Sequence, residues 1–197
     1  MTVRTPDLPA RIASLVEDYR EHADVVRLHQ EVRDAIDGAT PDALTIAAEP
    51  YRDDPHVAGT IYQRIVELQP ENARALVILA NAWWLGGRGP DAVGELATRA
   101  IAADPANRGG WHLWALSESN PRQRTLRWQQ VARRFPEDEL AVANVADNAA
   151  AVAGAEHDYE MLDLAVETYE RLLTTATRQE QRDALETALK ALRGWKF

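Results

Sequence analysis

Three short stretches, VELQP, IAADP and ARRFP, close on Pro70, Pro105 and Pro136, which stand 35 and 31 residues apart. A return of the same ending at about 34 residues is the length of one helical hairpin, which cannot bury its apolar face alone and must stack on copies of itself. Apolar residues recur with the helical period throughout, and no segment alternates with period two for long enough to make a strand. An all-α chain is therefore expected. Proline follows a capping-type residue at Thr40-Pro41, Asp54-Pro55, Gly89-Pro90 and Asn120-Pro121. Each pair marks a helix start, because proline at the first helical position gives up no hydrogen bond.

The clearest copy runs from Ala73 to Pro105. Leu76, Leu79, Ala80 and Trp83 lie at the intervals of a first helix, and Val93, Ala97, Ala100 and Pro105 at those of a second. In these residues the sequence resembles the tetratricopeptide repeat (TPR) family, whose loose signature is W-x2-L-G-x2-Y, then A-x3-F, then a closing proline. Ala58, Tyr62, Ile65 and Pro70 repeat the second-helix intervals, whereas the partner helix, from Pro41 to about Asp53, contains Pro50 and should be short or kinked. The following copy has Trp111, Trp114 and Ala115, then Trp128, Val131 and Pro136; its inter-helix turn is about three residues short, and Arg124 and Glu118 stand where the family has a small residue and an aromatic. The last has Val142, Val145, Ala146 and Ala149, then Ala165, Tyr169 and Leu172, with seven extra residues between and no final proline. The resemblance covers Pro41 to about Thr177. It implies a right-handed α-solenoid of about four degenerate helix-turn-helix repeats over 39–177, after an N-terminal helical segment, 1–38, and before a C-terminal capping helix and tail, 178–197.

The ends are read from the residues. At about 100° per residue, Ile12, Leu15, Val16, Tyr19 and Ala23 share one side of a helix, while Val25, Leu28, Val32 and Ile36 share the opposite side. Either two helices meet near Ala23 with Asp24 as N-cap, or one long helix lies between two partners, the second arrangement suiting a dimer. Toward the other end, Leu185, Ala188, Leu189 and Leu192 form one apolar face of a charged helix, as a terminal cap needs. Gly194 is expected at a left-handed C′ position, folding Trp195 back against Leu189.

Composition narrows the function classes. With no cysteine there are no disulfides, thiol nucleophiles or cysteine zinc sites. A net charge of −9 without a basic stripe opposes binding to a phosphate backbone, so nucleic acid is not an expected partner. The longest apolar run, Ala149 to Ala155, is far below the roughly 20 residues of a membrane span, and the first residues carry prolines and acids where a signal peptide would need its apolar stretch. A cytoplasmic protein without a membrane partner is expected. Only Lys190 and Lys196 are lysines, which suggests the arginine-rich codon usage of a GC-rich bacterium. No phosphate loop, dinucleotide fingerprint, HExxH or nucleophile elbow is present, so there is no candidate catalytic residue, cofactor or metal site.

Two polar clusters bear on that expectation. Asp18, His22 and His29 would share one side of a continuous N-terminal helix, and Glu156, His157, Asp158 and Glu160 crowd the stretch GAEHDYEM, read as a loop. Carboxylates and imidazoles together can hold a divalent ion. A solvated polar face and a wet charged loop are the readings favoured for them.

The stretch ANAWWLGGRGPDAV poses a sharper question. Neighbours on a helix point about 100° apart, so Trp83 and Trp84 cannot face the same core. Trp83 occupies the signature's buried aromatic position, which directs Trp84 elsewhere. In the family the first helices line a concave groove, and carrying that over implies a lining of Arg74, Val77, Asn81 and Trp84, then His112, Leu116 and Ser119, then Asn144 and Asp147. The resemblance thus implies a scaffold that binds a protein or peptide partner. Asn81 and Asn144 fall at two places of the carboxylate clamp some relatives use for a peptide C-terminus, but Val77, Leu113 and Leu140 stand where polar or basic groups are needed. The expected ligand is an internal helix or loop. A client-specific assembly or secretion chaperone is the alternative, a helical enzyme or metal-binding protein a more distant one. A homodimer through the N-terminal helices or the tail residues Trp195 and Phe197 is also open.

Overall fold

A computed structural model describes residues 7–197, and within them every regular element is a helix. In chain order these are α1 (Leu8–His22), α2 (Val25–Ile36), α3 (Pro41–Ala48), a 3₁₀ turn (Glu49–Tyr51), α4 (Pro55–Leu68), α5 (Ala73–Leu85), α6 (Pro90–Ala103), α7 (Arg108–Leu116), α8 (Pro121–Arg134), α9 (Glu139–Glu156), α10 (Tyr159–Thr175) and α11 (Gln179–Leu192).

The proline pairs open α3, α4, α6 and α8. Asp54 takes the backbone N–H groups of His56 and Val57 at 3.0 and 3.2 Å, and Asn120 takes that of Gln123 at 3.0 Å, satisfying donors that have no partner inside the helix. Gly89 has no side chain to offer; it supplies instead a φ of +86°, which brings the chain out of the glycine turn into α6. Pro50 acts as its geometry dictates, ending α3 at Ala48 and leaving one 3₁₀ turn.

The N-terminal apolar stripe changes sides because the helix breaks. Ala23 is left-handed (φ 56°) and its N–H reaches the Tyr19 carbonyl at 2.7 Å, while Asp24 caps α2 by accepting from Arg27 N–H at 3.0 Å. Each short helix then buries its own stripe, Ile12 and Val16 on α1, and Leu28, Val32, Ala35 and Ile36 on α2.

The chain divides into two compact units, the first ending at Leu113 and the second beginning at Trp114. In the first, α4 packs on α2, α3 and α5, and α5 packs on α6. Its core holds Leu44, Val57, Ile61, Ile65, Leu76, Leu79 and Val93, all essentially without solvent contact. In the second, α9 packs on both α8 and α10, and α10 on α11. Alanines at 146, 149, 153 and 165 let these helices approach closely around Val142, Leu162, Leu172 and Leu192. Both units are stacks of antiparallel helical hairpins, the architecture of a helical-repeat fold.

Two local expectations are corrected. GAEHDYEM is not a loop, for α9 runs on through Glu156 and only His157, left-handed at φ 54°, and Asp158, the N-cap of α10, join the helices. An alanine-rich stretch gains more from intrahelical hydrogen bonds than from solvation, so the extra residues lengthen the helix. Gly194 is not left-handed either. The chain leaves α11 through tight turns, Gly194 N–H to the Ala191 carbonyl and Trp195 N–H to the Leu192 carbonyl, both at 3.0 Å. Trp195 lies against α9, where its ring edge is 3.1 Å from where a Cβ on Gly154 would stand.

Candidate functional site

Helix α5 sends its two tryptophans apart. Trp84 is 37% exposed beside Leu85 at 57%, two large apolar side chains in solvent at the end of one helix. Trp83 is half-buried, and the Arg88 guanidinium lies 4.6 Å above its ring. The glycine turn makes that contact: Gly87 and Gly89 adopt φ of +72° and +86°, and Arg88 N–H returns to the Trp83 carbonyl at 3.0 Å, swinging the arginine back over the indole. Trp83 is thus a wall residue under a cation rather than a core residue between helices.

On the side of α5 that carries Trp84, Arg74 is exposed while Val77 and Asn81 are half-buried. Arg74 approaches Glu49 of the 3₁₀ turn at 3.7 Å, and Glu49 also accepts from Arg52 at 3.2 Å. Beneath them Tyr62 is buried with its hydroxyl unpartnered among the described residues; burial raises its pKa, against the opposing pull of Arg52 and Arg74. The methyls of Val77 are covered by Gly109 of α7, since a Cβ there would come within 2.9 Å of Val77 Cγ1. Val77 serves packing more than recognition. His112 is half-buried on the same unit.

In the second unit Leu116 is half-buried and Ser119 exposed. Asn144 donates to the Leu140 carbonyl at 2.9 Å, and Asp147 accepts from the Tyr169 hydroxyl at 2.5 Å. That phenol is held well above its ordinary pKa, first by burial and then by Asp147. Both polar groups expected to meet a ligand are thus engaged within their own unit. The departures from the repeat signature, Glu118 and Arg124, compensate each other's neighbourhood. Glu118 pairs with Arg127 at 2.7 Å, Arg127 covers the Trp114 ring at 4.6 Å and donates to the Trp114 carbonyl at 2.8 Å, and Arg124 donates to Asn148 at 2.8 Å.

The metal readings lose their geometry. His22 Nδ1 lies 2.9 Å from the Asp18 carbonyl, Arg27 takes the Asp18 carboxylate at 3.3 Å, and His29 is on a different helix. Glu156 and Asp158 are both held by Arg122, whose hydrogen bonds keep the Asp158 carboxyl below its usual range, with help from the Met161 N–H. Among the described residues no group of three or more histidine and carboxylate ligands could hold a metal ion.

Sequence reasoning missed a cavity of about 410 Å³ in the first unit, walled by α2, α4 and the α5 end with its glycine turn. His29 and Arg33 enter from α2, His56 and Gln63 from α4, and Trp83 and Arg88 from the turn side. The rings of His29 and His56 are 5.5 Å apart, and Tyr19 meets His56 edge-on at 6.0 Å. The His29 pKa is lowered by burial, then by His56, Arg33 and Arg88, with Asp54 opposing. The available signal was His29 and Arg33 one turn apart on α2, two nitrogen-bearing side chains on one helix of an acidic chain.

No protein-family model matches the sequence, and no curated protein matches it. Solved structures do. The MamA protein superposes with a TM-score of 0.58 at 16% identity, covering 87% of this chain and 97% of that one. A double mutant of MamA RS-1 gives 0.55 at 13%, covering 94% and 98%, and PilF of Pseudomonas aeruginosa gives 0.53 at 16%, covering 96% and 93%. These are TPR-like helical repeat proteins. This chain has the same kind of fold. At such identities the likeness extends to the fold alone. Among the described residues no helix is long and apolar enough to cross a membrane.

Proposed function

We propose that the protein is an interaction scaffold that holds a helix or loop of a partner protein against the α5 face, with Trp84 as the anchor and Asn81 and Arg74 as polar contacts. The observation that carries this reading is the exposure of Trp84 beside Leu85, at the end of a helix whose other tryptophan is already committed to Arg88. Tryptophan at the centre of a contact gives a large buried area for few frozen rotamers, and arginine beside it is a frequent companion. Among the described residues Arg74 is held by a long 3.7 Å contact to Glu49, so a partner carboxylate can compete for it. His112, on the same unit, is a peripheral member of the surface. Leu116, Ser119, Asn144 and Asp147 belong to the second unit, and there the internal bonds of Asn144 and Asp147 leave less to offer a ligand.

The test is affinity capture from lysate of the native host by the wild type and by Trp84→Ala, with the helical content of both checked by circular dichroism. A protein retained by the wild type and lost from the folded variant supports the reading. Equal capture by both sends the contact to another surface.

A further inference from the structure

We propose that the cavity between α2 and α4 is a binding site for an organic carboxylate, whose anionic end meets Arg33, Arg88 and His29 and whose apolar body rests against Trp83. The chain as a whole carries −9, yet this wall gathers three arginines and two histidines against Asp37 and Glu67. Glu67 is already held by Arg64 at 3.0 Å. Among the described residues that leaves Asp37 as the other lining acid, and Asp54 at the cap of α4 also acts on His29. Among the described residues Arg33 gives one nitrogen to Gln30 at 3.0 Å and Arg88 holds its guanidinium carbon 4.6 Å from the Trp83 ring centroid, and a guanidinium has five N–H donors, more than these contacts use. Cations held together in a half-enclosed space repel one another, and an anion between them removes that cost.

The donors select the kind of anion. Phosphate sites characteristically use backbone N–H groups at a helix N-terminus. Asp24 takes the Arg27 N–H at the start of α2 and Asp54 those of His56 and Val57 at the start of α4, so guanidinium forks are the main donors, and the apolar wall beside them favours an organic carboxylate over inorganic phosphate. Val25, Ile36, Ala82 and Trp83 supply apolar wall for the rest of the molecule. The volume of about 410 Å³ suits a small acid, or the acidic side chain of a bound segment. The free acid and the side chain share one chemistry. The site uses none of the α5-face residues, so it stands or falls apart from the proposed scaffold function.

A carboxylate here also changes the proton affinity of His29. The groups that face this ring are His56 and Asp54 from α4 and its cap, Arg33 from its own helix and Arg88 from the glycine turn. Asp37, Arg64 and Glu67 line the wider cavity, and Tyr19 lies against His56. The sum favours the neutral imidazole. A bound anion favours the imidazolium, so binding tightens as pH falls.

The experiment follows the ring protons of the five histidines by NMR on the full chain during titration with benzoate, glutarate, inorganic phosphate and an acidic peptide with blocked ends. Saturable shifts confined to His29 and His56, assigned by His29→Gln and His56→Gln, are expected with a carboxylate probe. Affinity should weaken about tenfold or more in Arg33→Gln/Arg88→Gln and be tighter near pH 6 than near pH 8. Saturation by the free acids identifies a small ligand, and saturation by the peptide alone identifies a partner's side chain. Should the double variant not fold, the test passes to His29→Gln, which must bind the probe with its pH dependence lost. No shift up to about 10 mM of any probe, saturation by phosphate alone, parallel shifts of all five histidines, or an affinity indifferent to the substitutions overturns the proposal.

Discussion

Gly109 shows how one missing side chain sets the spacing between helices. A Cβ there would stand 2.9 Å from Val77 Cγ1, and a β-branched residue on a helix has little rotamer freedom with which to yield. Gly109→Ala should therefore destabilise the protein by about 1 kcal/mol, overpacking outweighing the gain in helix propensity. In a Val77→Ala background the same change should be neutral or stabilising by up to about 1 kcal/mol. Urea midpoints of the four proteins check the change of sign.

The C-terminal tail is a small element held by side chains at the junction of α9 and α10. Trp195 lies over Gly154, Phe197 stacks on His157 with centroids 5.1 Å apart, and Tyr159 Oη donates to the Phe197 carbonyl at 2.9 Å while accepting its N–H at 3.0 Å. Since Tyr159 and Phe197 are both substantially exposed, these bonds order the tail more than they stabilise the fold. Tyr159→Phe should change global stability by less than about 1 kcal/mol. It should also speed amide hydrogen exchange at Phe197 to the rate of an unprotected chain. Retained protection would mean that the aromatic stack alone holds the tail. A neighbouring tie, Arg122 to Glu156 and Asp158, fastens the same junction to α8.

For the molecule as a whole, pH acts on the two units through different groups. His29 binds its proton less readily folded than unfolded, so the unfolded chain takes it up first, at about pH 6.5. Its stabilising effect is complete above that value and is lost as pH falls toward the lower folded pKa. Asp158 is held below its usual range, so its contribution is present above about pH 3.9 and is lost as pH falls through the depressed folded value. Thermal unfolding against pH should therefore fall more gently between about pH 7 and 5 in His29→Gln than in the wild type. In Arg122→Gln the deficit seen at neutral pH should vanish in strong acid.

Much of this architecture was legible because it is local. A proline after a capping residue fixes a helix start by covalent geometry, Pro50 ends α3 for the same reason, and a change of apolar side near Ala23 marks a break wherever the helices go. The divergence of Trp83 and Trp84 follows from the helical period, and the repeat interval is written in the spacing of Pro70, Pro105 and Pro136. Contacts between residues far apart in sequence decided the rest. The tail's destination depended on a glycine floor on α9, 41 residues before Trp195. The acids near Asp158 became Arg122 partners rather than a wet loop, and Val77 became packing once Gly109 met it. The cavity needed α2, α4 and the glycine turn to bring His29, His56 and Arg88 together, because a half-enclosed volume and the field within it exist only where separate helices meet.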